Sequence, residues 1–417
     1  MKKVLFVVLV AALVFAMFGC SIAGTAASSA APASSEAAAP ASSAAPASSA
    51  AASESAAASQ DINTILSGLK GTDGQPLLLD VAAKQVPERP SDPNTLKETD
   101  PLHWYDMEYA GYKATEKAEM PKSPGDGPQG KKITIIINGD HPYLTAYSNG
   151  AKIAANALGI TVNIKSPNWD LNVQNQMVDQ AINEKPDMII LVPLDPKAAV
   201  EQFRRINQAG IPVIGSNMLP DAEGMQYMLS WSGPDDFGQM AMMADALGQK
   251  LGGKGGVAYI THNPGGSPYY ARYFRVQAEL AQKYPDIKTL DFQSPGFDAD
   301  KCKQVVSDWI TKFGDKLNAI VLADDSAQAI GAVEACKAAG RTDITIVAAG
   351  NSKVGMDYVK DGSLFAITYQ SAEADGATPI KLAAEWFSGK TFDQPVYYLP
   401  QHVITQSDVD KYMPAQW

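Results

Sequence analysis

The sequence predicts an α/β protein built as two similar lobes, each a doubly wound parallel sheet with helices on both faces. Three observations carry that prediction. From Lys132 onward, short apolar runs alternate with segments of helical length, the pattern of strands joined by crossover helices. The runs are continuously apolar rather than alternating, which marks strands covered on both faces. The rhythm then restarts at Gly256 after about five strands, so the chain makes two lobes instead of one oversized sheet.

The elements follow in order. The first round places strands at 133–137, 160–164, 187–192, 212–214 and 227–230, with helices at 143–158 and 172–184. A further helix opens at Asp195-Pro196 and stops at Gly210, proline first and glycine last. The second round places strands near 257–260, 287–292, 319–322, 344–347 and 364–368.

The chain before this globular part has a different character. Met1-Lys2-Lys3, an apolar run over 4–18, and Gly19-Cys20 read as an export signal over 1–20 with Cys20 as the lipidated residue. Met17 and Phe18 depart from the usual pattern before such a cysteine, which leaves a plain secretory signal or an uncleaved anchor as the alternative. Residues 21–60 are nearly all Ala, Ser and Pro. Such a stretch has too little apolar area to offset its chain entropy, so it reads as a tether. Residues 61–130 form an N-terminal extension. Its aromatic cluster of His103, Trp104, Tyr105, Tyr109 and Tyr112 is expected to pack on the first lobe.

Charge and cysteine content exclude several classes. A net charge of −11 suits no nucleic acid, whose phosphates demand a basic face. With Cys20 used by the anchor, only Cys302 and Cys336 remain, and their places in the first and last turns of parallel helices predict free thiols. The glycines of Gly125–Gly130 match dinucleotide spacing by letter but precede a strand instead of following one. The four histidines show no ligand spacing, so neither metal nor cofactor is expected. No Gly-x-Ser-x-Gly elbow occurs, and Asp324-Asp325 has no nearby nucleophile, so no enzyme is expected.

In parallel sheets ligands bind beyond the carboxyl ends of the strands. The loops there carry His141-Pro142-Tyr143, Trp169, Asn217, Tyr270, Arg272, Phe297, Asp324-Asp325, Asn351 and Gln370. Acids, amides and an arginine suit hydroxyl groups, and aromatic rings suit the C–H faces of a sugar.

At these residues the chain resembles the ribose-type periplasmic sugar-binding proteins, whose fold is shared with the ligand domain of the lactose-repressor class. The resemblance covers about 132–405. It rests on the spacing from Pro142 to Gly150-Ala151, on Asn207-Gln208-Ala209-Gly210-Ile211-Pro212-Val213-Ile214, on Gly296-Phe297-Asp298, and on the run from Asp325 to Ala332. It implies a three-crossing hinge, with lobe one over 132–233 and 371–400 and lobe two over 234–370 and 401–417. It also implies ring stacking by Tyr143 and Phe297, and polar contacts from Asp325 and Gln370. Asn217-Met218 stands where that family carries Asp-Arg, Tyr270 where it carries Arg, and Gly350-Asn351 where it carries Asp. Pentose, hexose, polyol and non-sugar ligands therefore stay open. The implied role is a monomeric, exported, membrane-anchored solute binder that delivers to an ABC permease. The alternative is a sensor that reports ligand to a membrane receptor. A transcription regulator would need a basic helix-turn-helix before Ile133, which is absent.

Overall fold

Strand β1 (Lys132–Ile136) is buried at every residue after the first, because it lies inside a sheet with helices above and below. In this computed structural model the described residues are 61–80, 84–109, 116–392 and 394–417. The export signal, Cys20, the tether and Tyr112 lie outside them.

The first sheet has the order β11-β5-β4-β3-β1-β2 and is parallel throughout. Its other strands are β2 (Thr161–Lys165), β3 (Met188–Leu191), β4 (Val213–Ser216), β5 (Ser230–Gly233) and β11 (Val396–Tyr398). The second sheet has the order β12-β10-β9-β8-β6-β7. It comprises β6 (Lys254–Ile260), β7 (Asp286–Gln293), β8 (Leu317–Leu322), β9 (Thr345–Ala348), β10 (Ala366–Thr368) and β12 (Val403–Thr405), the last antiparallel to β10. Among the described residues each sheet thus has six strands, one more than the apolar runs predict. The sixth strand in each case belongs to the returning chain, too short to stand out by periodicity.

Helix Ala372–Phe387 packs Ile380, Leu382, Trp386 and Phe387 into the core that also holds Ile133 and Ile135. It therefore belongs to the first lobe although it follows β10 of the second. The chain crosses between lobes after β5, after β10 and after β11. The predicted strand at 227–230 begins instead at Ser230. A 3₁₀ turn, Ala222–Tyr227, precedes it, and Met225 and Met228 fill the core beneath.

Short polar residues at the strand ends start the helices that follow. Asp170 accepts from the backbone N–H groups of Asn172 and Val173, Asp195 from Ala198, and Asp298 from Lys301. The cap satisfies otherwise orphaned donors and fixes where each loop leaves its strand. Cys302 and Cys336 are buried free thiols in the second lobe's core.

The extension touches both lobes. Helix 61–67 and the turn after it place Ile62, Leu66 and Leu77 in the first lobe's core. The aromatic segment meets both lobes: the Tyr398 hydroxyl on β11 of the first lobe donates to the Glu108 carbonyl at 2.7 Å. Trp104 packs on Tyr270 and Phe274 of the second lobe, at ring-centroid distances of 5.5 and 4.6 Å. Its partners are aromatic residues that helical spacing alone could not assign to a surface. Further on, Lys117 Nζ donates to the carbonyls of Met225 and Met228 on the first lobe, at 2.7 and 2.8 Å.

Leu66 is fully buried, so Leu66→Ala should lower stability by about 2–5 kcal/mol through lost apolar contact and the cavity left behind. Urea unfolding of the variant would measure this. A loss under about 0.5 kcal/mol would mean that the extension does not belong to the folded core.

Candidate functional site

The loops at the carboxyl ends of the two sheets face one another and enclose a cavity of about 70 Å³. One water needs about 10–15 Å³ on that measure. The chamber therefore has room for one small molecule.

The first lobe supplies His141 and Tyr143 from the loop and helix start after β1, Trp169 after β2, and Asn217 after β4. Trp169 has φ +66°, and its indole lies on Gly139, where an added Cβ would fall 2.2 Å from the ring. Its Nε1 donates to the Asp140 carbonyl at 3.3 Å. A glycine is required there because the ring occupies the space of any side chain.

Behind this wall sits Asp375, on helix Ala372–Phe387. Its Oδ2 accepts from Tyr143 Oη at 2.9 Å and Asn217 Nδ2 at 2.5 Å, while Oδ1 is buried without a partner among the described residues. Burial pushes the Asp375 carboxyl up to about 7, against the pull of those two donors. Tyr143 is thus held by its hydroxyl, with its ring turned to the cavity.

The second lobe and hinge supply Asp236, Arg272, Phe297, Asp324 and Gln370. Asp236 opens the first helix after the crossing from β5, and Gln370 stands just past β10 at the next crossing. Asp236 Oδ1 accepts from Arg272 Nη2 at 3.0 Å, Arg272 Nε at 3.3 Å and Gln370 Nε2 at 2.7 Å. Arg272 Nη1 also donates to the Ala323 carbonyl at 2.8 Å. These charge-assisted bonds fix the guanidinium against the chamber wall.

The lobes meet around the cavity. Ser267 Oγ accepts from the Leu219 backbone N–H at 3.0 Å, and His141 Nε2 lies 3.9 Å from Asp324 Oδ1. The Phe297 ring sits between His141 and His262, at 5.8 and 5.0 Å. Burial lowers both imidazoles, and the Arg272 charge adds to the effect. For His262 the result is a pKa of about 3, so it is neutral at physiological pH.

The structure brings together Tyr143, Trp169, Asn217, Arg272, Phe297 and Gln370, as the strand-end rule expects. It places three predicted residues elsewhere. Asp325 is fully buried outside the chamber, its Oδ2 accepting from the Ser352 backbone N–H at 2.7 Å. Its neighbour Asp324 lines the cavity instead. Asn351 spends its Oδ1 on the Gln370 backbone N–H at 3.0 Å and so positions a lining residue without being one. Tyr270 faces away, onto Trp104 of the extension. The strand-end loops already offered His141 and Asp324, which line the cavity; the residues missed are Asp236, His262 and Trp417. Asp236 follows β5 in the run Gly233-Pro234-Asp235-Asp236 and obeys the same strand-end rule; Trp417 carries no such signal.

A family model described as a periplasmic binding protein domain matches residues 133–391. The chain belongs to that family. Its two lobes have the type I architecture of periplasmic binding proteins. A xylitol-binding protein of Mycolicibacterium smegmatis is 29% identical over 284 residues, 67% of this chain and 78% of the relative. The ribose import binding protein of Bacillus subtilis is 25% identical over 66% of this chain and 88% of its own. Among solved structures, an ABC transporter solute-binding protein from Actinobacillus succinogenes with bound D-allose aligns with a TM-score of 0.62 and 25% identity. It covers 68% of this chain and 100% of that one. One from Bacillus halodurans with bound myo-inositol gives 0.63 at 22% identity, a likeness of fold, over 70% of this chain and 100% of that one. The extension lies before the family match.

Asp375 makes stability depend on pH in a definite direction. Its folded value, about 7, exceeds the ordinary 3.8, so the folded protein holds a proton that the unfolded chain releases. The stabilisation is complete below about pH 4 and is lost as pH rises through about 7. Asp375→Asn keeps the acceptor for Tyr143 and Asn217 but cannot ionise. Its melting temperature should therefore gain on wild type as pH rises from 4 to 8, and a constant difference across that range would disprove the assignment. The comparison cancels His262, whose lowered pKa acts in the opposite sense.

Proposed function

We propose that this protein captures one polyhydroxylated small molecule, a monosaccharide or polyol, by closing its two lobes, and delivers it unchanged to an ABC permease. The observation that carries the reading is a chamber lined by both lobes. It combines acids, an amide and a fixed arginine for hydroxyl groups with aromatic rings for C–H faces. Ligand would favour the closed form because only there do both sets of contacts exist. The names of the xylitol- and ribose-binding relatives support a polyol or sugar. Cys20 would carry the lipid anchor and 21–60 would hold the lobes off the membrane.

Two measurements test this. A thermal-shift screen of xylitol, D-ribose, D-allose, D-apiose and myo-inositol, with amino acids and nucleosides as the contrast, should raise the melting temperature for at least one polyhydroxylated compound. Shifts with amino acids or nucleosides alone would sink the sugar or polyol reading. Asp236→Asn should then weaken the compound so found by about tenfold to a hundredfold, the scale of one charged hydrogen bond, and should also lower the melting temperature of the free protein, because the largely buried Arg272 loses its countercharge. Unchanged affinity in calorimetry would remove Asp236 from the site.

A further inference from the structure

The residues after β12 lie beyond the family match, which ends at residue 391, yet they return to the chamber. Gln416 is held on three sides. Its Nε2 donates to Asp73 Oδ2 at 2.8 Å and to Ser371 Oγ at 3.1 Å, and its Oε1 accepts from the Glu373 backbone N–H at 3.0 Å. The Trp417 carbonyl accepts from the Lys353 backbone N–H at 2.6 Å. Extension, hinge helix and second lobe together therefore fix where the indole stands.

That indole meets the Tyr143 ring edge-on at 5.4 Å and the His141 ring at 5.6 Å. On one side it lines the enclosed chamber, and on the other an outer depression bordered by Thr72, Asn149, Lys152 and Glu373. Its Nε1 is buried and has no hydrogen-bond partner among the described residues. A buried donor left unpaired is rare in a folded protein, and the residue that carries this one lines the chamber. An oxygen of a molecule in the chamber would complete the bond.

We infer that Trp417 is a ligand-binding residue, giving its Nε1–H to a hydroxyl oxygen and its ring to the C–H face of the bound molecule. As the partition between chamber and depression, it also limits the occupant to about one sugar unit. This rests on the sugar or polyol reading above and adds to it a residue that lies outside the family's matched span.

The test is calorimetry on the full chain with xylitol, D-ribose, D-allose, D-apiose and myo-inositol, comparing wild type, Trp417→Phe and Trp417→Ala. Phe keeps an aromatic wall and loses only the donor. Trp417→Phe should bind about two- to tenfold more weakly at an unchanged melting temperature, the scale of one neutral hydrogen bond. Trp417→Ala, lacking the wall as well, should lose at least about tenfold. Wild-type affinity in Trp417→Phe overturns the inference and leaves the sugar or polyol reading standing. Failure of the wild type to bind any of the five overturns both.

Discussion

The Asp236 carboxylate is the point on which the two-lobed arrangement turns. It stands directly after the first crossing of the chain, and Gln370, which donates to it, stands at the second. Arg272 donates to it from the second lobe and reaches on to the Ala323 carbonyl at the end of β8. One oxygen thereby ties two hinge strands to the chamber wall. A carboxylate with little access to water is costly unless its charge is matched and its hydrogen bonds are met, and Arg272 with Gln370 meets both demands. The same arrangement fixes a guanidinium whose field adds to burial in lowering the His141 and His262 imidazoles.

The first lobe uses a second buried acid differently. Among the described residues, Asp375 takes its hydrogen bonds from the Tyr143 hydroxyl and the Asn217 amide, neither of them a cation. It therefore holds a proton more readily, and it positions an aromatic ring and a polar loop without contributing a full charge at low pH. The chamber is thus framed by one acid that is charge-paired and one that is held by neutral donors. That asymmetry follows from which lobe carries the arginine.

Around this frame the chain adds contacts outside the family's matched span. The extension enters the first lobe's core through Ile62 and Leu66, meets the second lobe through Trp104, and meets residues after β12 through Asp73 and Gln416. Lys84 adds an ion pair to Asp235 beside the first crossing, at 2.8 Å. The segment thus contacts both lobes and the first crossing.

The sequence by itself determined the two parallel sheets, because strands buried on both faces must be continuously apolar and crossover helices must follow them. It also pointed to the strand ends as the place for a site, and it named Tyr143, Trp169, Asn217, Arg272, Phe297 and Gln370, which the structure gathers around one cavity. The sequence did not choose between Asp324 and Asp325. Adjacent side chains leave a strand end in different directions, and only the packing of the β9 loop, with its Ser352 N–H waiting, drew Asp325 inward. Nor did it separate Tyr270 from the cleft, since that depended on Trp104 arriving from far upstream. Trp417 was the least legible of all. Its place in the chamber is set by hydrogen bonds to residues hundreds of positions away and close by alike, and such contacts leave no periodicity in the chain.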